Sequence, residues 1–267
     1  MALPSDKTTA LPSKQLACEL SGTGPPLLLL HAFPLGLVMW DAQASALADS
    51  HQVIRFDCRG FGGSPPGDGL LTMERIADDA AGVLDRLGLP SAAVAGVSMG
   101  GYAALAMVRR HPDRIRALVL ADTRAGADSP EAKANRAAQA EKVRRDGAAA
   151  IADAVLPKLL GDTSHRERPE LVARVRRIIE ANPRRGITDA LAGLAARADS
   201  TPILREIRVP TLVVVGEEDA ITPLADAETL QRGIAGSRLA VIPRAGHLSS
   251  LENPDEFNRQ LRAFPGR

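Results

Sequence analysis

Apolar residues along the chain follow two alternating periods. Short aliphatic runs occur at Lys14–Leu20, Leu27–His31, Gln52–Asp57, Ala92–Val97, Ile115–Ala121, Thr211–Val215 and Arg238–Ile242. Several are near-continuous, as strands covered on both faces should be. Between Thr72 and Gly88 the period lengthens. Ile76, Ala80, Val83, Leu84 and Leu87 share one helical face, with Thr72 as N-cap and Gly88 as terminator. A second helix is expected from Ser98 toward His111-Pro112, and a third over Pro254–Ala263. Strands alternating with helices predict a mostly parallel sheet with helices on its faces.

From Arg124 to Arg208 no strand pattern is visible. Four helical pieces are predicted near Pro130–Arg145, Ala148–Leu160, Pro169–Ala181 and Ile187–Ala198, separated by turn signals at Gly147, Gly161 and Asn182-Pro183. An all-helical insertion between two strands predicts a cap over one end of the sheet. The expected division is a core of residues 1–123 and 209–267 and a helical cap of residues 124–208.

One motif carries chemistry. Gly96-Val97-Ser98-Met99-Gly100 lies between an aliphatic strand and a helix-compatible run, the strand–turn–helix setting that presents a serine hydroxyl above a sheet. A serine needs a base to take its proton. Among the five histidines, His247 is the candidate, because its loop follows the last strand at the edge where ligand sites gather. His51, His111 and His165 read as solvated or structural. An acid must orient the imidazole. Asp219, after the strand Thr211–Val215, gives the chain order Ser98, Asp219, His247; Asp122, after Ile115–Ala121, is the alternative, and Glu217 and Glu218 are neighbours of Asp219. A tetrahedral intermediate also needs two N–H donors. Met99, directly after the serine, supplies one. Phe33, in the loop after Leu27–His31, supplies the other, since Pro34 has no N–H. His31 is expected to shape that loop.

Composition narrows the alternatives. The 267 residues are 45% apolar and 24% charged with a net charge of +1, which excludes the electrostatic footprint of a nucleic-acid binder. Cys18 and Cys58 form no metal-ligand pattern, so neither a metal nor another cofactor is expected; two isolated thiols suit a reducing compartment, although a bridge between them is conceivable. The N-terminal MALPSDKTTALPS lacks the apolar core of a signal peptide, and no apolar run approaches the ~18 residues of a membrane span, so a soluble cytoplasmic protein without a membrane partner is expected. Aromatics are 3% of the chain, and Phe33, Trp40, Phe61 and Tyr102 fall in or beside the motif segments. Trp40, Phe61 and Tyr102 are therefore candidates for lining a substrate pocket, with plain packing as the competing role.

Taken together, the motifs resemble those of the α/β-hydrolase superfamily over nearly the whole chain. The segments carrying the resemblance are His31-Ala32-Phe33-Pro34, Asp57-Cys58-Arg59-Gly60-Phe61-Gly62-Gly63-Ser64, Gly96–Gly101, Gly216–Pro223 and Gly246-His247 with Glu252-Asn253-Pro254. Ala32 departs from the usual glycine. The resemblance implies an α/β fold, a mostly parallel central sheet flanked by helices, with a helical cap inserted after the sixth strand. It is nearest to small esterases and to 3-oxoadipate enol-lactonase-like and cofactor-free perhydrolase-like groups. Ser98 stands where haloalkane dehalogenases and epoxide hydrolases carry aspartate, and Val97 where carbon–carbon bond hydrolases often carry asparagine.

The implied activity is hydrolysis of a small-molecule carboxylic ester by a Ser-His-Asp acyl-enzyme mechanism, with a lactonase or perhydrolase using the same residues as the alternative. A ligand-binding receptor on a hydrolase scaffold is the reading from another class. Between Arg124 and Arg208 there are 17 Lys+Arg against 12 Asp+Glu, whereas the remainder carries 16 against 20. A basic cap suits an acidic substrate; solvated faces of amphipathic helices are the plainer explanation.

Overall fold

The computed structural model describes residues 16–264. Seven strands form one sheet: β1 (Cys18–Ser21), β2 (Pro26–Leu30), β3 (Gln52–Phe56), β4 (Ala92–Val97), β5 (Ile115–Ala121), β6 (Thr211–Gly216) and β7 (Arg238–Ile242). Their spatial order is β1-β3-β2-β4-β5-β6-β7. Only β1 is antiparallel to its neighbour, β3; every other pairing is parallel. The aliphatic runs therefore sit where the pattern put them, within a residue or two. Lys14 and Gln15 of the first expected strand, and the N-terminal segment read for a leader, lie outside the described residues.

The helices are α1 (Asp41–Leu47), α2 (Met73–Arg86), α3 (Met99–Arg110), α4 (Pro130–Asp146), α5 (Ala148–Leu159), α6 (Asp162–Glu167), α7 (Pro169–Glu180), α8 (Arg184–Ala196), α9 (Leu224–Gly233), α10 (Ser249–Glu252) and α11 (Pro254–Ala263). Thr72 caps α2 as expected: its Oγ1 accepts the Arg75 N–H at 3.1 Å. The apolar face of α2 packs on α3, and α1 packs on α11. Helices α4 to α8 lie between β5 and β6. Five strands precede this insertion among the described residues, so the expected position after a sixth strand is one strand too late. Each of the five aliphatic runs before Arg124 became one strand, and no further strand precedes α4 among the described residues. α1, α6, α9 and α10 were not anticipated. Each has ten residues or fewer, and α9 buries only Ala227 and Leu230.

The core is aliphatic. Leu28, Leu29 and Leu30 of β2, and Val94, Ala95 and Val97 of β4, are fully buried. Each buried leucine stabilises the fold by roughly 1.5–3 kcal/mol relative to an exposed one. Cys18 and Cys58 are buried and unbridged. Burial pushes the Cys18 thiol up to about 11 and the Cys58 thiol well above its ordinary range, so neither is a ready nucleophile. Among the described residues, no helix is long and apolar enough to cross a membrane, and no cluster of three or more His, Cys, Asp or Glu side chains is arranged to hold a metal ion.

This topology fixes where chemistry can occur. The chain winds from β2 to β3 in one direction and reaches β4 on the other side, so the carboxyl ends of β2 and β4 flank a switch point. Crevices form at such points in open α/β sheets. In register, Leu30 of β2 lies beside Gly96 of β4, and Val97 beside Ala121 of β5. The loops carrying Phe33, Ser98 and Asp122 consequently emerge side by side. Those carrying Asp219 and His247 follow at the ends of β6 and β7.

Candidate active site

Ser98 stands at the turn between β4 and α3 with φ 53° and ψ −111°, a backbone state that costs a non-glycine residue about 1–3 kcal/mol. The surrounding packing imposes it. Strand and helix approach so closely that a Cβ on Gly96 would stand 2.2 Å from the Gly100 carbonyl oxygen, and one on Gly100 would stand 2.1 Å from that of Leu30. The Ser98 N–H donates to Ala121 O at 2.9 Å, and Thr123 Oγ1 donates to Ser98 O at 2.9 Å, anchoring the turn to the end of β5.

Ser98 Oγ lies 2.8 Å from His247 Nε2. The other ring nitrogen of His247 lies 2.8 Å from Asp219 Oδ2 and 3.0 Å from Oδ1. A carboxylate only accepts, so Nδ1 carries the proton and Nε2 is left to accept from the serine hydroxyl. Asp219 is itself saturated. Its Oδ1 accepts the Ile221 and Thr222 N–H groups at 2.8 and 2.9 Å, and its Oδ2 accepts the Thr222 hydroxyl at 2.7 Å. Burial pushes this carboxyl up, but the facing His247 and these hydrogen bonds outweigh it and hold Asp219 below its ordinary value. His247 and Asp219 are 2% and 5% exposed.

Asp122 does not take the acid's place. Its Oδ1 accepts the Gly216 N–H at 2.9 Å, and its Oδ2 accepts the Ser249 hydroxyl at 2.6 Å and N–H at 3.1 Å. It joins the end of β6 to the loop after His247. Full burial, then the negative charge of Asp219, raise it well above the usual carboxylate range. Glu217 accepts the Arg244 N–H, and Glu218 accepts the Thr163 N–H and hydroxyl at the start of α6, so both are engaged away from His247. The remaining histidines have local partners: His111 meets Asp78 at 2.7 Å, His165 meets Leu156 O at 3.1 Å and His51 meets Ser50 Oγ at 3.0 Å.

Phe33 and Met99 flank the serine. Met99 opens α3, so its N–H has no intrahelical partner. The Phe33 N–H forms no hydrogen bond to another described residue. His31 shapes the Phe33 loop: its Nε2 accepts the Cys58 N–H at 3.0 Å, which leaves Nδ1–H to donate to Ala32 O at 3.0 Å. Burial lowers the His31 pKa and keeps the ring neutral, as this bonding requires. Asn182, singled out in the sequence only as a turn, tethers the loop from above. Its Nδ2 donates to Pro34 O at 2.9 Å while its Oδ1 accepts the Gly62 N–H at 2.9 Å.

A cavity of about 270 Å³ opens over Ser98 and His247. Phe33, Tyr102 and Ile221 form its floor; α4, α5 and α8 roof it, through residues including Arg136, Val155, Lys158 and Leu194. Of the three aromatic candidates, only Tyr102 lines this cavity. Trp40 and Phe61 are fully buried elsewhere. Trp40 packs on Phe257 with ring centres 6.1 Å apart, and Phe61 fills the space between His31 and Phe33 at 5.5 and 6.3 Å. Both were pocket candidates because they neighbour the motifs in sequence, with packing as the competing role, and the structure gives them the packing role. Thr222 lies within a recognised motif, Asn182 at a recognised turn and the roof residues in the expected cap, but what each of them touches is not readable from local pattern.

Residues 25–254 match the family model described as alpha/beta hydrolase fold. The chain is 30% identical to 3-oxoadipate enol-lactonase 2 of Acinetobacter baylyi, over 91% of this chain and 89% of that one. It superposes on a thermophilic esterase from Thermogutta terrifontis, solved with malate bound, at a TM-score of 0.91, with 45% identity and coverage of 96% and 94% of the two chains. For the enol-lactonase from Burkholderia xenovorans the TM-score is 0.88, with 32% identity and coverage of 94% and 96%. The chain belongs to the α/β-hydrolase family.

Proposed function

We propose that this α/β hydrolase cleaves small carboxylic esters by two-step acyl transfer through Ser98, His247 and Asp219. The single observation carrying this reading is the hydrogen-bonded line from Ser98 Oγ through His247 Nε2 and Nδ1 to Asp219, at 2.8 Å on each side. Ser98 Oγ bonds to the ester carbonyl carbon as its proton passes to His247 Nε2. The tetrahedral oxyanion takes hydrogen bonds from the Phe33 and Met99 N–H groups, in the water-poor setting where such donors act most strongly. The carbon–oxygen bond to the alcohol then breaks, and His247 returns the proton to the departing alkoxide. Water then bonds to the acyl carbon as its proton passes to His247 Nε2, the bond from that carbon to Ser98 Oγ breaks, and His247 returns the proton to Ser98 as the acid leaves. Asp219 holds the imidazole in the required tautomer and stabilises its charged form. In this reading residues 124–208 are a cap over a core of residues 1–123 and 209–267, consistent with α4, α5 and α8 roofing the cavity.

A lactone substrate fits the same steps, with the alkoxide staying tethered to the acyl group. The enol-lactonases of Acinetobacter baylyi and Burkholderia xenovorans favour this second reading. Ser98→Ala should abolish turnover of p-nitrophenyl acetate and of lactones alike. Turnover of p-nitrophenyl acetate at the unsubstituted rate in that variant contradicts the mechanism.

A further inference from the structure

Resting on the ester-hydrolase reading, we propose that the cavity selects substrates bearing a free carboxylate, bound by Arg124 and Arg136 in its wall. The cavity lining contains three cationic side chains, Arg124, Arg136 and Lys158, and no acidic one. Two of them are not loose surface charges. Arg124 reaches Asp128 Oδ1 at 3.1 Å, Arg136 bonds Asp128 Oδ2, and Arg197 meets Asp128 Oδ1 at 2.6 Å. The Asp128 side chain is 0% exposed. One buried carboxylate thus organises three guanidinium groups; Asp226 acts on Arg124 and Arg197 through its charge, so three cations face two carboxylates and the group keeps a positive excess.

Arg197 is itself satisfied. It lies 4.1 Å over the Tyr102 ring and donates to Gly126 O at 2.7 Å. Arg124 and Arg136 carry the positive excess into the cavity lining, which contains no acid. Arg124 Nε is buried and has no hydrogen-bond partner among the described residues. A buried donor left unmade is costly, so Asp128 does not fully satisfy the Arg124 guanidinium, and the cavity that Arg124 lines holds no acidic side chain to complete it. Guanidinium groups recognise carboxylates through paired N–H bonds, and Arg124 and Arg136, both held on Asp128, line the same cavity. Lys158 adds a third positive charge to the cavity lining. The cavity's modest volume restricts the fit to a short substrate, such as the monoester of a small diacid or a lactone carrying one carboxylate.

The test uses matched substrates. Methyl hydrogen succinate and methyl butyrate differ by a carboxylate in place of a methyl group on the acyl side; butyryl glycolate carries the carboxylate on the alcohol side. For the unsubstituted enzyme at low salt, kcat/KM should favour one of the anionic esters over methyl butyrate by roughly tenfold or more, mainly through KM, with the ratio falling as salt rises. Arg136→Gln and, separately, Lys158→Gln should lower that ratio, whereas Arg145→Gln on the outer surface of α4 should not change it. A ratio near one for both anionic esters, with methyl butyrate turned over, overturns the subsite while leaving the hydrolase reading intact. If no ester is turned over, the hydrolase reading fails, and calorimetric binding of succinate to Ser98→Ala decides the subsite alone. Binding that is lost on adding Arg136→Gln supports it; absence of binding overturns it.

Discussion

The carboxylate of Glu252 joins Gly161, in the helical insertion, to the loop that carries His247. Its Oε2 accepts the Gly161 N–H at 2.8 Å and the Ser164 hydroxyl at 2.7 Å. Its Oε1 accepts the N–H groups of Gly246 and Leu248, the two residues flanking His247, at 2.9 and 3.1 Å. The imidazole is thus positioned by Asp219 through its ring and by Glu252 through its backbone. Glu252→Gln turns one accepting oxygen into a donor, leaving two buried donors unmet. It should destabilise the protein by about 3 kcal/mol in urea unfolding and lower kcat for p-nitrophenyl acetate. Unchanged stability and kcat would remove Glu252 from this role.

Thr222 acts one step closer to the chemistry. Its hydroxyl donates to Asp219 Oδ2 at 2.7 Å. Thr222→Val keeps the shape and deletes the donor, so Asp219 loses one of the bonds that depress its pKa. The expected result is a fall of about tenfold in kcat, from the loss of one charge-assisted hydrogen bond, with little change in KM. Steady-state kinetics on p-nitrophenyl acetate measure it.

The Asp128 cluster has a definite pH signature. Burial pushes the Asp128 carboxyl up, but hydrogen bonds and charge from Arg136 and Arg197 outweigh it and hold it at about 2, against an ordinary 3.8. A depressed folded-state pKa stabilises above the unfolded value, and that contribution is lost as pH falls through the folded value. Stabilisation of about 2 kcal/mol is therefore present above pH ~4 and disappears toward pH ~2. Asp128→Asn should cost about 3 kcal/mol or more near neutrality, because it leaves buried guanidinium groups unpaired. The gap to the unsubstituted protein should narrow as urea unfolding is repeated below pH ~4; a gap constant with pH contradicts the assignment.

Gly96→Ala tests the strand–turn–helix crowding. The new methyl would meet backbone at 2.2 Å, and backbone cannot yield as a flexible side chain can. A loss of about 3 kcal/mol or failure to fold is expected, read from urea unfolding and from the yield of folded protein. Stability equal to that of the unsubstituted protein contradicts the packing described for this turn.

Much of this architecture was legible in the sequence because it rests on local rules. Ala92–Val97 reads as a doubly covered strand, and Gly96 and Gly100 mark a turn too tight for side chains. The order of Ser98, Asp219 and His247 follows from which strand each loop leaves. Short helices such as α1 and α9 were not legible, since they bury only two or three side chains each and show little periodicity. Glu252 was visible within a motif, but its role was not, because its partner Gly161 lies 91 residues away. The arginine cluster illustrates the same limit. An excess of cations between Arg124 and Arg208 could be counted, but only packing separates Arg124 and Arg136, gathered on Asp128, from outward-facing pairs such as Arg145 with Asp146. Trp40 and Phe61 erred in the other direction: nearness in sequence to the motifs suggested a pocket that their burial excludes.

The central claim is that Ser98 Oγ becomes acylated. Rapid acid quenching of the enzyme during p-nitrophenyl acetate turnover, followed by peptide mapping, tests it most directly. The expected result is an acetyl group on Ser98 in the unsubstituted enzyme and neither acetylation nor turnover in Ser98→Ala. Continued turnover with Ser98 unmodified, or acetylation accumulating on another residue while Ser98→Ala retains full activity, would contradict it.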